Sequence, residues 1–164
     1  ALAASRLARP QARRMAMVGA GALAPFLIRA HAAVRPIGPV ALWNHRPERA
    51  ESVAAQLRAE GLDVTAVGDL ETAVREADLV SCATLSTVPL VRGAWLKDGA
   101  HLDLVGAFNL SMREADDEAL TRARVYVDTP HALTEGGDVA LAVRSGALAP
   151  EAVQGDLAAL TRGT

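Results

Sequence analysis

Short apolar runs recur along the chain, and most are followed by a stretch whose apolar residues have helical spacing. The runs are rich in Val, Leu and Ala and are predicted strands: 14–20, 39–44, 63–67, 78–84, 100–107 and 123–129. They show little alternation of apolar and polar residues, as expected for strands that helices cover on both faces. The pattern therefore predicts an α/β fold with three layers, αβα, around a doubly wound, mostly parallel sheet.

Helical spacing lies between these runs and after the last one. Helices are predicted at 22–34, 47–61, 69–77 and 113–123, with a short helix at 130–135 and a last one at 150–161. Pro47 suits the first turn of a helix, Asp69 can cap the helix that follows it, and Gly61 suits a C-terminal cap. The residues before Pro10 have the pattern of the end of a helix.

The composition indicates one globular domain. Of 164 residues, 51% are hydrophobic but only 3% are aromatic, so the core is expected to consist of Val, Leu and Ala. Because 17 Lys and Arg stand against 19 Asp and Glu, the chain has no basic excess for nucleic acid. Cys82 is the only cysteine, which excludes an internal disulfide. No run approaches the roughly 20 apolar residues of a membrane span. We expect a cytoplasmic protein without nucleic-acid or membrane partners.

The glycine pattern Gly19-x-Gly21-x-x-Ala24 directly follows the first predicted strand and opens the helix 22–34. Gly19 permits a tight turn, Gly21 lets the backbone approach a pyrophosphate, and Ala24 allows the helix to pack closely. Free N–H groups and the helix dipole then favour negative phosphates. A glycine turn without a ligand is the alternative. In this context the pattern favours a dinucleotide site of Rossmann type.

The end of the second predicted strand indicates which dinucleotide is bound. NAD-binding domains usually carry an Asp or Glu there, which binds the ribose hydroxyls. This chain instead has neutral and basic side chains: Asn44, His45, Arg46 and Arg49. Because arginine attracts a 2′-phosphate, we expect NADP(H) to be preferred, with NAD(H) as the second option. The alternative is a solvated helix start, in which the two arginines pair with Glu48 and Glu51.

Two more segments lie where strands of such a sheet end. Thr84 and Ser86 offer neutral hydrogen-bonding groups, and Gly106 and Ala107 are small enough to admit a flat ring. No pair of histidines has metal-ligand spacing, so no metal site is predicted. No residue has the setting of a catalytic nucleophile, and the acids 116–118 suit the start of a helix.

The segments "MVGAGALA", "LWNHRPERAE", "LVGAF", "READDEAL" and "ARVYVDT" resemble the ornithine cyclodeaminase/mu-crystallin family, in order and over most of the chain. With "ALTEGGDV", the chain is most similar to the bacterial pyrroline-2-carboxylate (proline ketimine) reductases of that family. The resemblance implies a Rossmann domain inserted into a second domain, which forms the substrate pocket and a homodimer. It also implies NAD(P)H-dependent reduction of a cyclic imino acid such as pyrroline-2-carboxylate to proline.

By position, the resemblance implies cofactor contacts at four places: the turn residues Ala22 and Leu23, the ribose selector Asn44, the loop Thr84, Leu85 and Ser86, and Val105, Gly106 and Ala107 near the nicotinamide. Leu23 replaces a frequent Gln. Phe108 stands where cyclodeaminases carry an acidic catalytic residue, which argues against ornithine deamination. The alternatives are a cyclodeaminase, an amino-acid dehydrogenase, or a mu-crystallin-like protein that binds NADPH without turnover.

The resemblance also suggests how the chain is organised. Residues 1–13 are expected to end a helix that links to a further domain, 14–145 to form the nucleotide-binding domain, and 146–164 to form a C-terminal helix that leads back. The groups that bind the substrate in relatives are expected outside this chain. No catalytic residue is therefore predicted within it, and the chain alone is expected to be inactive.

Overall fold

The computed structural model describes residues 1–163, which form two compact units. The first unit comprises Ala1–Thr84 with Trp95–Val105, and the second comprises Leu85–Ala94 with the chain from Gly106 onward. The last two strands pair with each other in a sheet of their own, and the single domain predicted from the length stays a prediction. The domain bounds given above stay a prediction.

The first unit is built on a five-stranded sheet in which all neighbouring strands are parallel. Its order is β3-β2-β1-β4-β5, so the chain crosses back over the sheet after β3. The fold class predicted from the alternating pattern is confirmed. The strands are β1 (Met15–Val18), β2 (Val40–Trp43), β3 (Val64–Val67), β4 (Leu79–Cys82) and β5 (His101–Leu104).

Four helices belong to this unit: α1 (Leu2–Leu7), α2 (Ala24–Val34), α3 (Pro47–Ala59) and α4 (Leu70–Glu76). Their ends follow the predicted signals. Pro47 occupies the first turn of α3, and Gly61, just after that helix, has a φ of 87°, which glycine adopts without strain. The Asp69 side chain caps α4 by accepting a hydrogen bond from the Thr72 N–H.

The core of the first unit consists mainly of aliphatic side chains. Met15 and Met17 of β1 pack in one buried cluster with Ile28 of α2, Leu42 of β2 and Leu57 of α3. The two methionines are among its largest members, so the core contains thioethers beside the expected Val, Leu and Ala. Helix α4 packs against β1 and β2. Because connections between parallel strands are right-handed, α4 lies on the face opposite to α2 and α3.

The second unit contains a smaller, two-stranded parallel sheet. The run 123–129 does form a strand, but the expectation that it extends the main parallel sheet is wrong, because it pairs with a strand near the C-terminus. The elements are α5 (Asp117–Thr121), β6 (Val125–Val127), α6 (Gly137–Arg144), β7 (Val153–Asp156) and α7 (Leu157–Arg162).

Several helix predictions in the second unit are wrong in extent. The predicted helix 150–161 is a 3₁₀ turn, strand β7 and helix α7, because pairing with β6 overrides the local helical pattern. The helix predicted at 113–123 begins only at Asp117, since the Asp116 side chain caps it by accepting the Ala119 N–H. The short helix at 130–135 is 3₁₀. Thr164, the end of the predicted C-terminal helix, lies outside the described residues.

Candidate functional site

The turn after β1 requires a glycine at its first position. Gly19 has a φ of 104°, and a Cβ there would lie 2.6 Å from the Ala83 carbonyl oxygen and 3.1 Å from the Thr84 Cγ2. The Gly19 N–H donates to the Trp43 carbonyl oxygen at 2.8 Å. The turn is thus packed against the ends of both strands beside β1, and it needs Gly19 for its own fold.

The second glycine of the turn has a different environment. Gly21 is exposed, and no other heavy atom lies within 4 Å of the place where its Cβ would be. Among residues 1–163, no group accepts the N–H of Gly21, Ala22 or Leu23, and all three residues are exposed at the start of α2. Three free N–H groups thus lie at the positive end of an 11-residue helix, an arrangement that suits an anion. The residues present therefore fit the pyrophosphate of a dinucleotide.

Asn44 connects this turn to the segment after β2. Its Oδ1 accepts a hydrogen bond from the Ala20 N–H at 3.3 Å, and its Nδ2 donates to the Arg46 carbonyl oxygen at 3.1 Å. One side chain therefore holds both loops in a fixed arrangement. The predicted contact between Asn44 and the adenosine ribose stays a prediction.

Arg46 and Arg49 lie at the start of α3 and are exposed. Within the described part of the chain, neither guanidinium makes a hydrogen bond or an ion pair, and His45 is exposed beside them. Glu51 pairs with Arg58 instead, so the alternative in which it neutralises the helix start is not observed. Two unneutralised positive charges therefore follow β2, where the sequence predicts a 2′-phosphate.

The remaining predicted site residues are divided between the two units. In the first, Thr84 lies beside Gly19, and the Val105 side chain is 38% exposed. In the second, Leu85 is exposed, whereas the Ser86 hydroxyl already donates to the Val88 carbonyl oxygen at 2.6 Å, which occupies its proton within the chain. The second unit also holds Gly106, which is buried, and Ala107, which is partly exposed. Their predicted contacts with a cofactor stay predictions.

The comparison with known proteins agrees with this geometry. The profile of the ornithine cyclodeaminase/mu-crystallin family matches residues 1–164. The chain belongs to this family. It is 45% identical over 163 residues to a Δ1-pyrroline-2-carboxylate reductase of Paracoccus denitrificans, an alignment that covers 98% of this chain and 52% of the reductase. The chain spans about half the length of the curated relatives it matches.

Two solved structures of similar proteins share the fold. One is the Thermococcus litoralis Δ1-pyrroline-2-carboxylate reductase in complex with NADH and L-proline. Its TM-score to this chain is 0.95 at 26% sequence identity, and the match covers 99% of this chain and 51% of the reductase. The other is an archaeal alanine dehydrogenase dimer with bound NAD, with a TM-score of 0.93, 28% identity, and coverage of 99% and 50%. The Rossmann-type architecture of the family is therefore present in this chain.

Three acids of this family member were not singled out by the sequence: Glu114 and Asp138, which are buried, and Asp103, whose side chain is 19% exposed. The Asp103 carboxylate lies 3.1 Å from the Nε2 of the fully buried His31 and accepts from the Ser81 hydroxyl at 3.1 Å. Burial alone raises the pKa of Asp103, but the His31 hydrogen bond and nearby positive charges hold that pKa below its usual range. The available signal was an acid within an apolar segment, which demands a buried partner.

The described residues contain neither a metal-binding cluster nor a membrane-spanning helix. Among residues 1–163, no group of three or more His, Cys, Asp and Glu side chains is arranged to hold a metal ion. Within the same residues, every helix is too short or too polar to cross a bilayer. Phe108, at which the family resemblance implies an acid in the cyclodeaminases, is 67% exposed.

Proposed function

We propose that this chain binds a nicotinamide dinucleotide, with NADP(H) preferred over NAD(H), and forms the nucleotide-binding part of a reductase for cyclic imino acids. The observation that carries the proposal is the turn at Gly21–Leu23, whose three N–H groups have no acceptor among the described residues and belong to exposed residues at the start of α2. Backbone donors at a helix N-terminus suit a pyrophosphate.

The preference for NADP(H) is supported by Arg46 and Arg49. An exposed arginine without a carboxylate partner can form charge-assisted hydrogen bonds with a 2′-phosphate, whereas an acid at the same place would repel it. Asn44 holds the Arg46 backbone and the glycine turn together, so the two phosphate-binding elements keep a fixed spacing. The two solved relatives contain NADH and NAD, so the proposed preference depends on the residues of this chain.

The substrate class is proposed from the relatives. The protein of Paracoccus denitrificans named above is a Δ1-pyrroline-2-carboxylate reductase, and the Thermococcus litoralis reductase was solved in complex with NADH and L-proline. A reduced nicotinamide supplies a hydride to the carbon of a C=N bond. In this proposal the described residues bind and orient the dinucleotide, and the whole protein is a homodimer; the archaeal alanine dehydrogenase structure is a dimer.

A second candidate is an amino-acid dehydrogenase. The alanine dehydrogenase has a TM-score of 0.93 to this chain, almost as high as the reductase structure. An ornithine cyclodeaminase is less well supported, because Phe108 cannot transfer a proton as an acid does.

Turnover of the whole protein separates these functions. We expect NADPH to be oxidised with pyrroline-2-carboxylate, faster than NADH, and expect no oxidation with pyruvate and ammonia. Oxidation with pyruvate and ammonia alone would identify an amino-acid dehydrogenase, and formation of proline from ornithine would identify a cyclodeaminase. Tight NADPH binding with no turnover of any of these compounds would indicate a binding protein.

A further inference from the structure

One side chain joins the glycine turn to the segment that follows β2. The Asn44 Oδ1 accepts a hydrogen bond from the Ala20 N–H at 3.3 Å, and its Nδ2 donates to the Arg46 carbonyl oxygen at 3.1 Å. Ala20 is buried and directly precedes the exposed part of the turn, so it offers a fixed point of attachment. Among residues 1–163, no second side chain forms hydrogen bonds to both segments. Both segments belong to the same compact unit.

The Arg46 carbonyl oxygen lies at the point where α3 begins. It accepts the N–H of Arg49 at 3.0 Å and that of Ala50 at 3.4 Å, in addition to the Asn44 amide. Arg46 is the N-cap residue, and its own side chain makes no capping hydrogen bond to any described residue. Through this one carbonyl group, Asn44 therefore holds the helix turn that carries both unpaired arginines.

The two segments offer different groups to an anion. The glycine turn offers the backbone N–H groups of Gly21, Ala22 and Leu23, which have no acceptor within the described chain. The start of α3 offers the exposed guanidinium groups of Arg46 and Arg49. A ligand that carries phosphate at both places makes its second contact at a high effective concentration. That gain depends on a fixed spacing, because loops that must first be ordered consume part of the binding energy.

We propose that Asn44 is a positioning residue, which couples the two phosphate-binding segments and so strengthens binding of ligands that carry both a pyrophosphate and a 2′-phosphate. It acts through the Ala20 N–H and the Arg46 carbonyl oxygen. The inference rests on the proposed dinucleotide function. It differs from the ribose contact that the resemblance implies, because a direct contact would serve every ligand that contains the adenosine ribose.

The test uses three ligands that all contain this ribose. ADP-ribose carries the pyrophosphate alone, adenosine 2′-monophosphate carries the 2′-phosphate alone, and 2′-phospho-ADP-ribose carries both. Calorimetric titration of the whole protein measures the affinity for each ligand. We expect Asn44→Ala to weaken binding of 2′-phospho-ADP-ribose about tenfold and binding of the other two ligands less than about twofold, because only the first ligand uses the fixed spacing.

A double-mutant cycle separates coupling from a general loss of structure. In the variant that combines Arg46→Gln with Arg49→Gln, the start of α3 no longer offers a charge to the 2′-phosphate. Adding Asn44→Ala to that variant should weaken binding of 2′-phospho-ADP-ribose less than about twofold, because the effect of Asn44 acts through the arginines. A structural defect would weaken binding by the same factor in both backgrounds.

Gln56→Ala is the matched control. It removes an exposed side-chain amide from α3 in the same unit, and that amide donates to Glu60 rather than to either phosphate-binding segment. We expect no change for any of the three ligands. If Asn44→Ala does not fold, Asn44→Ser, whose hydroxyl is too short to bind both partners, should show the same selective loss.

Three results would overturn the inference while leaving the proposed function in place: equal weakening of all three ligands by Asn44→Ala, unchanged binding of 2′-phospho-ADP-ribose, or the same loss with and without the two arginines. An unmodified protein that binds ADP-ribose as tightly as 2′-phospho-ADP-ribose would overturn the preference for NADP(H), and the inference with it. An unmodified protein that binds none of the ligands would overturn the proposed function as a whole.

Discussion

The two ends of the five-stranded sheet use charge in opposite ways. At the amino end, Asp78 accepts hydrogen bonds from the N–H groups of Arg13 and Arg14 and lies 2.8 Å from the Lys97 ammonium. At the carboxyl end, Arg46 and Arg49 have no partner in the described chain. Charged groups that are fully paired maintain the fold, whereas unpaired donors at the other end of the same sheet are available to a ligand.

The pKa of Asp78 reflects the pairing of charges at the amino end of the sheet. Burial tends to raise it, but the Lys97 ammonium and the two backbone amides outweigh burial and hold the pKa well below its usual range. The carboxylate therefore stays ionised in the folded chain. The two glycines of the turn show the same contrast. A side chain at Gly19 would collide with neighbouring atoms, whereas no heavy atom lies within 4 Å of the place where a Cβ of Gly21 would be.

The largest effect is expected from Gly19→Ala. A side chain at a φ of 104° and 2.6 Å from a carbonyl oxygen should lower the free energy of unfolding by roughly 2–5 kcal/mol. Denaturant unfolding measures this loss. Gly21→Ala is the matched control and should stay within about 1 kcal/mol of the unmodified chain. Equal losses in both variants would remove the distinction between the glycine that the fold requires and the glycine proposed for the ligand site.

The next effect concerns the unpaired arginines. Replacing both Arg46 and Arg49 with Gln should weaken NADPH binding about 10–100-fold, because two charge-assisted hydrogen bonds to the 2′-phosphate are lost. NADH binding and thermal stability should hardly change. Arg58→Gln, on the same helix but paired with Glu51, is the control and should leave NADPH affinity intact. An equal loss for NADPH and NADH would contradict the assignment of these arginines.

A smaller effect on stability is expected at the amino end. Asp78→Asn should lower the free energy of unfolding by about 1–2 kcal/mol at neutral pH, because the charge that binds Lys97 and the two backbone amides is lost. The effect is modest because solvent screens these partly exposed interactions. Because the folded pKa of Asp78 is depressed, this stability is present at neutral pH and is lost as pH falls below the ordinary range of an aspartate. Unfolding curves at several pH values measure it. NADPH affinity should be unchanged, and a large change would break the separation of the two ends.

The smallest effect at neutral pH is expected from His101, at the amino end of β5. Burial lowers the pKa of His101 to about 4 from 6.5, despite the nearby Asp103. As pH falls, His101 is protonated in the unfolded chain before it is protonated in the folded chain. The free energy of unfolding should therefore fall as pH decreases from 6.5 towards 4. His101→Gln should flatten that part of the profile and change little at pH 7. An unchanged slope in the variant would show that other groups carry the acid sensitivity.

The sequence predicts the first unit better than the second. In the first unit, the strand and helix patterns of the sequence agree with local capping residues such as Asp69. The order of the elements and the position of the glycine turn can therefore be predicted from the sequence. In the second unit, β7 pairs with β6 although its own segment reads as helical, and α6 begins at Gly137, a residue that lowers helix propensity. Glu114 and Asp138 were missed for a related reason, because their backbone partners exist only once the chain has folded.

Titration of the chain with NADPH and NADH, followed by thermal unfolding, is the most direct test of the ligand site proposed at the carboxyl end of the sheet. A ligand that binds only the folded state must raise the melting temperature. We expect NADPH to raise it more than NADH does, and Gly21→Ala to reduce both shifts without changing the melting temperature of the free chain. No shift with either nucleotide, or shifts that Gly21→Ala leaves unchanged, would contradict a dinucleotide site at this turn.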